Sequence, residues 1–302
     1  MPHQPPAPTP WPAITAAQVR VIPRVPFHVL HEGQPLHCGS VAVAHLPALA
    51  AWPEALRVDD HGVTLTVPAE QRNAFLAGAN AALREAGLIK AWRDETYPLL
   101  VVKSKQLLAT FERASSRFWG TLTFGAHCNG CVLDAEGRPS HLWIARRSAT
   151  KATDPGLLDN LIGGGVPHGQ SPAETLLREG WEEAGLLPQQ MSGLRGGHIL
   201  RLARDIPEGF QLEELSVYDL PLPPGLVPAN QDGEVQSITL MPATQALAHA
   251  ATDDMTVDAS LATLDFALRH GLLPNTQRAA LDAALAPMRV GQAALPHSIP
   301  LK

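Results

Sequence analysis

The chain has 302 residues, 45% of them hydrophobic, enough for two compact units with cores of their own. A formal net charge of -6 without a run of Lys or Arg leaves no electrostatic footprint for a nucleic-acid backbone, so the expected partner is a small molecule. Three cysteines, Cys38, Cys128 and Cys131, argue against a disulfide framework and fit a reducing, cytoplasmic setting, and no apolar run reaches membrane-spanning length.

Residues 1–13 are proline-rich and lack an apolar h-region, and are expected to form a disordered leader and not a signal peptide. Residues 24–31 and 40–44 read as strands, followed by an Ala/Leu segment ending near Trp52 and Pro53. Residues 63–67 alternate as a strand after the turn signal Asp59-Asp60-His61-Gly62, and 69–86 read as a helix stopped by Gly87. Residues 14–115 thus form a small α/β domain in which no catalytic constellation is visible. Its segment Arg84-Glu85-Ala86-Gly87-Leu88 lacks a preceding glycine loop and paired glutamates. The polar stretch 113–117 reads as a linker.

The second domain, 118–290, opens with strand-like residues 118–132 and 141–147, the latter ending in Arg146 and Arg147. Cys128-Asn129-Gly130-Cys131 lies inside an apolar run. A zinc site needs a second ligand pair and a redox motif should open a helix, so both cysteines read as buried structural residues. Asp154-Pro155-Gly156 marks a turn before Gly163-Gly164-Gly165. Ser171, Pro172 and Glu174 then supply a capping box with proline at the first helical position, and Gly185 can end the helix. Beyond it, 197–203, 213–220 and 234–241 read as strands, with a turn at 207–209 and a proline-rich loop at 221–231. Helices are expected over 244–251, 258–270 and about 275–286, and a tail from 291.

Within the central helix, Ala173, Leu176, Leu177, Gly180 and Ala184 form one apolar stripe of 3.6-residue period. Glu179, Glu182 and Glu183 fall on another sector, with Arg178 at its edge. Repulsion among carboxylates at helical spacing costs only about 0.2–0.5 kcal/mol per pair, so by itself such a triplet is an ordinary solvated face.

Its surroundings change that. Gly164, Arg178, Glu179, Glu182, Glu183, Gly185 and Leu186 stand in the register of the Nudix box, which the complete pattern resembles. Gln170 departs from the box's first glutamate, and Gly180 from its apolar position. The resemblance implies an α/β/α sandwich with a mixed sheet, here preceded by the smaller α/β domain. It is similar, more narrowly, to the branch related to thiamine pyrophosphokinase, through Phe124-Gly125-Ala126-His127-Cys128-Asn129-Gly130, Trp143 to Ser148, Lys151, Pro155 to Asn160 and Gly165-Val166-Pro167-His168-Gly169. That branch implies a diphosphatase acting on thiamine diphosphate and its damaged analogues, oxothiamine and oxythiamine diphosphate, releasing monophosphate and phosphate.

Hydrolysis of a diphosphate needs charge neutralised on phosphoryl oxygens and a water held in line. Hard oxygen donors select Mg²⁺ or Mn²⁺, and Glu179 and Glu183, one turn apart, are the expected ligands, with Glu182 as a further or shared one. The resemblance adds the backbone carbonyl of Gly164. Arg178 is expected to orient the carboxylates. The general base stays open between the helix and a later loop, where Glu234 is the candidate. Arg146, Arg147 and Lys151 could pair with the diphosphate, although successive strand residues face opposite ways and only one arginine should point inward. His168 is a candidate substrate contact. Trp181 is read as core packing, with Trp119 and Trp143 as candidates for stacking on a ring. The alternatives are hydrolysis of ADP-ribose or another nucleoside diphosphate derivative, and a diphosphate-binding module weakened by Gln170. The first domain could close over substrate or mediate a homodimer.

Overall fold

In the computed structural model, which describes residues 10–151 and 153–295, the chain builds two bodies. A short helix α1 (Pro12–Ala16) comes first. The first body then has a four-stranded sheet of β1 (Arg24–His31), β2 (Gln34–Ala42), β3 (Leu56–Asp59) and β4 (Gly62–Leu65), in the order β2-β1-β4-β3. Helices α2 (Leu46–Leu49) and α3 (Arg72–Glu85), a hairpin of β5 (Thr96–Leu100) and β6 (Leu107–Glu112), and α4 (Ser115–Trp119) complete it. Phe27, Val63, Leu76, Leu99, Phe118 and Trp119 share its core, and the Trp119 indole N–H donates to Asn80 Oδ1 at 2.8 Å.

The second body is a mixed sheet of β7 (Leu122–Leu133), β8 (Pro139–Arg147), β9 (Leu158–Asn160), β10 (Ile162–Gly165), β11 (Arg195–Ile206), β12 (Gly209–Pro221), β13 (Val235–Pro242) and β14 (Arg289–Gln292). The order is β13-β8-β7-β12-β11-β14, with β10 on β7 and β9 on β8. β7 and β12 run parallel; the other pairs are antiparallel. Helix α5 (Pro172–Ala184) covers one face, and α6 (Ala243–Ala250), α7 (Val257–Arg269) and α8 (Asn275–Leu285) cover the other. The result is an α/β/α sandwich with a smaller α/β body before it. Because both faces are covered, β7 is buried along most of its length. Cys128 and Cys131, three apart, point into opposite cores, and burial pushes the Cys131 thiol up to about 12 and Cys128 well above its ordinary value. Neither thiol is poised for metal or redox chemistry.

Three expectations at domain edges need correction. Residues 1–9 lie outside the described residues, but Trp11 and Ile14 are 6% and 2% exposed in the core under α7. The chain then runs along β11, with Ala203 N–H donating to Ala17 O at 3.0 Å and Asp205 N–H to Val19 O at 2.9 Å. Residues 11–17 therefore pack on the second body, where Trp11, Ala13, Ile14 and Ala17 complete its core. Residues 113–117 are a buried junction and not a solvated linker. Ser115 and Ser116 are 0% and 1% exposed, and the charges are met by ion pairs, Arg113 with Glu95 at 3.0 Å and Arg117 with Glu213 at 3.1 Å. At the other end, 291 and 292 belong to β14, and the Tyr218 hydroxyl donates to Ala294 O at 2.8 Å; residues 296–302 lie outside the described residues. Among the described residues, no helix is long and apolar enough to cross a membrane.

Candidate functional site

Helix α5 starts as its sequence dictates. Glu174 N–H donates to Ser171 Oγ at 3.2 Å, and Glu174 Oε2 accepts from Ser171 N–H at 2.8 Å. Gly185 ends the helix in the left-handed conformation, φ 63°. Ala173, Leu176, Gly180 and Ala184 are buried, and Gly180 is where the helix comes closest to its support: a Cβ there would lie 2.6 Å from Met191 Sδ and 3.3 Å from Ile162 Cδ1. This close seat sets the carboxylates against the glycine strand β10.

Glu183 is 6% exposed and accepts a hydrogen bond from Gly163 N–H at 2.8 Å. Burial, with Glu179 and Asp159 nearby, pushes its carboxyl well above the ordinary value against the pull of Gly163 N–H and Lys151. Glu179 lies against Gly164 so closely that a Cβ on that glycine would stand 2.4 Å from Glu179 Oε1. Burial pushes Glu179 up as well, against the pull of Arg178. Arg178 spans the helix face, donating to Glu179 Oε1 and to Glu182 Oε2, each at 2.8 Å.

The three glutamates open on a cleft of about 690 Å³ between the two bodies. Arg147 and Lys151 line it and Arg146 does not: Arg147 pairs with Asp159 at 2.8 Å, whereas Arg146 is exposed and donates to Gly156 O at 2.6 Å. Alternation along β8 turns only Arg147 inward. Lys151 is ion-paired with Glu234. At Glu234 burial pushes the carboxyl up, but Lys151, with Arg93 and Arg147 behind it, holds it below its ordinary value.

Other candidates lie elsewhere. His168 is exposed outside the cleft lining, its backbone N–H bound to Thr96 O at 2.9 Å. Gln170 is exposed too, and its Oε1 accepts from the Thr175 hydroxyl at 3.1 Å, so it supports the helix start and does not face the glutamates. Trp181, read as core, is 49% exposed because it stands beside the apolar stripe and not in it. Trp119 and Trp143 are buried at 1% and 7%, and neither lines the cleft.

Several lining residues carry no signal in local spacing. His127 on β7 and Asp159 on β9 flank the glycine strand, with His127 Nδ1 2.9 Å from Asn160 Oδ1; both lie in stretches quoted above for the resemblance. Glu213 and Asp258 line the far end, where Glu213 accepts from Arg117 at 3.1 Å and from the Thr123 hydroxyl at 3.0 Å, and Asp258 Oδ1 is buried without a hydrogen-bond partner. Lys90, Arg93, Glu95, Arg113 and Arg117 come from the first body. No catalytic constellation was visible there because these residues reach the site only through tertiary packing.

The donor set can be tested against a divalent cation. Among the described residues no group of three His, Cys, Asp or Glu is gathered closely enough to hold a metal ion, since Arg178 stands between Glu179 and Glu182. In type the donors fit: oxygen ligands only, on one turn of helix, around a strand whose missing Cβ at Gly164 leaves room for the Glu179 carboxylate. Burial that disfavours ionised Glu179 and Glu183 is what a bound cation would offset.

A protein-family model described as the NUDIX domain matches residues 125–260. Nudix hydrolase 20, chloroplastic, of Arabidopsis thaliana is 36% identical over 232 residues, covering 75% of this chain and 61% of that protein. Nudix hydrolase 24, chloroplastic, of the same plant is 35% identical over 205 residues, covering 68% and 56%. The chain thus spans roughly three fifths of the length of these relatives. A solved structure, DR0079 from Deinococcus radiodurans, is similar at 19% identity with a TM-score of 0.43, over 57% of this chain and 99% of that one.

Proposed function

From the premise that this chain carries a Nudix domain over residues 125–260, we propose that it is a divalent-cation-dependent hydrolase of diphosphates, with thiamine diphosphate and its damaged analogues as substrates. The observation that carries this reading is the shared cleft: Glu179, Glu182 and Glu183 open on the same space as Arg147 and Lys151. Glu179 and Glu183, with Glu182 and the Gly164 carbonyl, would hold Mg²⁺ or Mn²⁺. When bound, the cation supplies charge neutralisation for the phosphoryl oxygens.

The remaining work belongs to side chains. Lys151 binds a phosphoryl oxygen as a point charge, and Arg147, its guanidinium held by Asp159 and by the Thr153 and Asp154 carbonyls, adds positive charge beside it. Arg178 aligns Glu179 and Glu182. Glu234, held ionised beside Lys151, is available to accept the proton of the attacking water. The ring-bearing half of the substrate would occupy the far end, where Glu208, Glu213 and Asp258 line the cleft. Carboxylates suit a ring system carrying a positive charge or an amino group: thiamine diphosphate has both, oxythiamine diphosphate keeps the charge and oxothiamine diphosphate keeps the amino group.

The test is phosphate release with Mg²⁺ from thiamine diphosphate, oxothiamine diphosphate, oxythiamine diphosphate and a nucleoside diphosphate, with monophosphate formation followed for ADP-ribose and Glu183→Gln alongside. Preferential turnover of the thiamine compounds, abolished in the variant, is expected. Turnover of ADP-ribose alone would keep the chemistry and overturn the substrate. No turnover of any compound would favour a binding module, and Gln170→Glu would then separate decay, by restoring activity, from a dispensable position.

A further inference from the structure

Three of the four arginines and lysines that line the cleft from the second body are ion-paired: Arg147 with Asp159, Lys151 with Glu234, and Arg178 with Glu179 and Glu182; Arg204 is hydrogen-bonded to Gln211 at 2.7 Å. Beside the box glutamates, an incoming diphosphate therefore meets positive charge already matched by carboxylates. From the first body the balance differs. Lys90 and Arg93 line the same cleft from the loop between α3 and β5, and among the described residues neither is ion-paired with a carboxylate, although the charge of Arg93 reaches Glu234.

This loop is built to hold them there. Ile89 anchors its start in the first body's core at 3% exposure. One carboxylate, Glu112, accepts from the backbone N–H of Arg93 at 2.9 Å, of Glu95 at 3.0 Å and of Ala114 at 3.1 Å. Between these anchors Ala91 and Asp94 adopt left-handed backbone, φ 58° and 59°, which side-chain-bearing residues adopt at a cost. Trp92 fills the bend, its indole N–H donating to Asp94 Oδ1 at 2.8 Å and the Arg84 guanidinium lying 4.7 Å from its ring centroid. A loop pinned by Glu112 at Arg93 and Glu95, with left-handed residues on both sides of Trp92 and Arg93, presents two cations without an ion-pair partner to one space.

We propose that the first body completes the substrate site, with Lys90 and Arg93 binding the phosphoryl oxygens of the diphosphate from the first body's side of the cleft. The inference rests on the diphosphate reading above and gives the first body a specificity-determining task in it. Lys90 and Arg93 meet substrate charge without an ion pair to break, whereas Arg147 and Lys151 are ion-paired with Asp159 and Glu234. Glu112 acts as a positioning residue, through the backbone it holds.

The experiment compares the intact chain with Lys90→Gln, Arg93→Gln, the double variant and Arg93→Lys. Three quantities are read: the Kd for inorganic pyrophosphate with Mg²⁺ by calorimetry, KM and kcat on thiamine diphosphate, and Tm. Each lost charge is expected to weaken pyrophosphate binding and raise KM about tenfold, the equivalent of one charge-assisted hydrogen bond, with kcat changed less and Tm little changed. Arg93→Lys should recover most of the loss, which a purely structural role would not predict. Pyrophosphate binding by the double variant equal to that of the unsubstituted chain overturns the proposal, whatever happens to Tm. If the unsubstituted chain binds pyrophosphate but hydrolyses no diphosphate, the proposed function falls and the titration still decides this inference; if it does not bind pyrophosphate, both fall.

Discussion

Glu183 combines a structural task with the proposed chemical one. Its Oε2 ties the end of α5 to Gly163, while burial makes its ionised form costly. A cation has to displace the proton that burial favours, so Mg²⁺ affinity should rise with pH above the ordinary carboxylate value of 4.5. The Mg²⁺-induced rise in Tm, measured from mildly acid to mildly alkaline pH, should grow with pH in the unsubstituted chain and grow less in Glu183→Gln, where Glu179 is the raised carboxyl that remains. That variant keeps an oxygen for Gly163 N–H and should fold, yet lose roughly 10²–10³ in turnover, the scale of removing one charge-stabilising group. Gly164→Ala should be inactive for a steric reason, its Cβ standing 2.4 Å from Glu179 Oε1. Gln170→Glu should leave turnover unchanged, because Gln170 is hydrogen-bonded to Thr175 outside the cleft lining. At this scale the shared face of the glutamates was legible from helical periodicity, but only the register of the Nudix box set it apart from an ordinary solvated face. Arg146 and His168 were not separable from true cleft residues, because charge and proximity in sequence do not say which way a side chain turns.

For whole elements, the clearest case is the seat of α5. A larger apolar side chain at Gly180 would gain about 1 kcal/mol of helix propensity, but overpacking a closed contact costs about 1–3 kcal/mol. Met191, 0% exposed beneath the helix, has little room to yield. Gly180→Leu should therefore lower stability by about 1–2 kcal/mol, seen as an earlier urea midpoint, and lower activity by lifting the glutamates off β10. On the opposite face, α7 is fastened to β12 by Asp219, which accepts from Arg269 Nη2 at 2.8 Å and from His270 Nε2 at 2.9 Å. Burial pushes the Asp219 carboxyl up, but Arg269 and His270 outweigh it and hold it below its ordinary value. A depressed folded pKa contributes stability that is present above the unfolded value of 3.8 and lost as pH falls through the folded one. Asp219→Asn should cost about 3 kcal/mol at neutral pH, since Asp265 still pairs with Arg269, and should flatten the loss of stability on acidification; chemical denaturation from neutral to strongly acid pH measures both. The sequence marked 24–31 as a strand and found both ends of α5, where β-branched content and capping chemistry are local. It missed the β5-β6 hairpin, whose burial comes from a distant sheet, and it read Gly163 and Gly164 as loop although they pair with His127 and Ala126 in β10.

Across the molecule, division of the chain into a first and a second domain hides how firmly they are joined, because every joining contact is remote in sequence. Arg117 of α4 pairs with Glu213 of β12, Lys105 with Glu214, and the Arg24 guanidinium lies 4.8 Å from the Phe210 ring centroid. Most telling is the segment before β1, whose first thirteen residues were read as a leader on proline content and the lack of an apolar h-region. Trp11, Ile14 and Ala17 lie in the second body's core, and Asp205 Oδ2 accepts from the N–H of Val21 at 2.6 Å and of Ile22 at 2.9 Å just before the chain enters β1. The second body is thus built from both sides of the first in sequence, and neither can lose its packing without releasing a strap that continues into the other. Trp11→Ala should cost about 3–5 kcal/mol, the range for deleting a buried indole, although it lies far in sequence from the residues it supports. If the two bodies unfold together, that loss will shift one cooperative transition, reported alike by far-ultraviolet circular dichroism and by binding of pyrophosphate in the cleft. Two separate transitions, with only the second body's moved, would show that the strap joins them in space without coupling their stability.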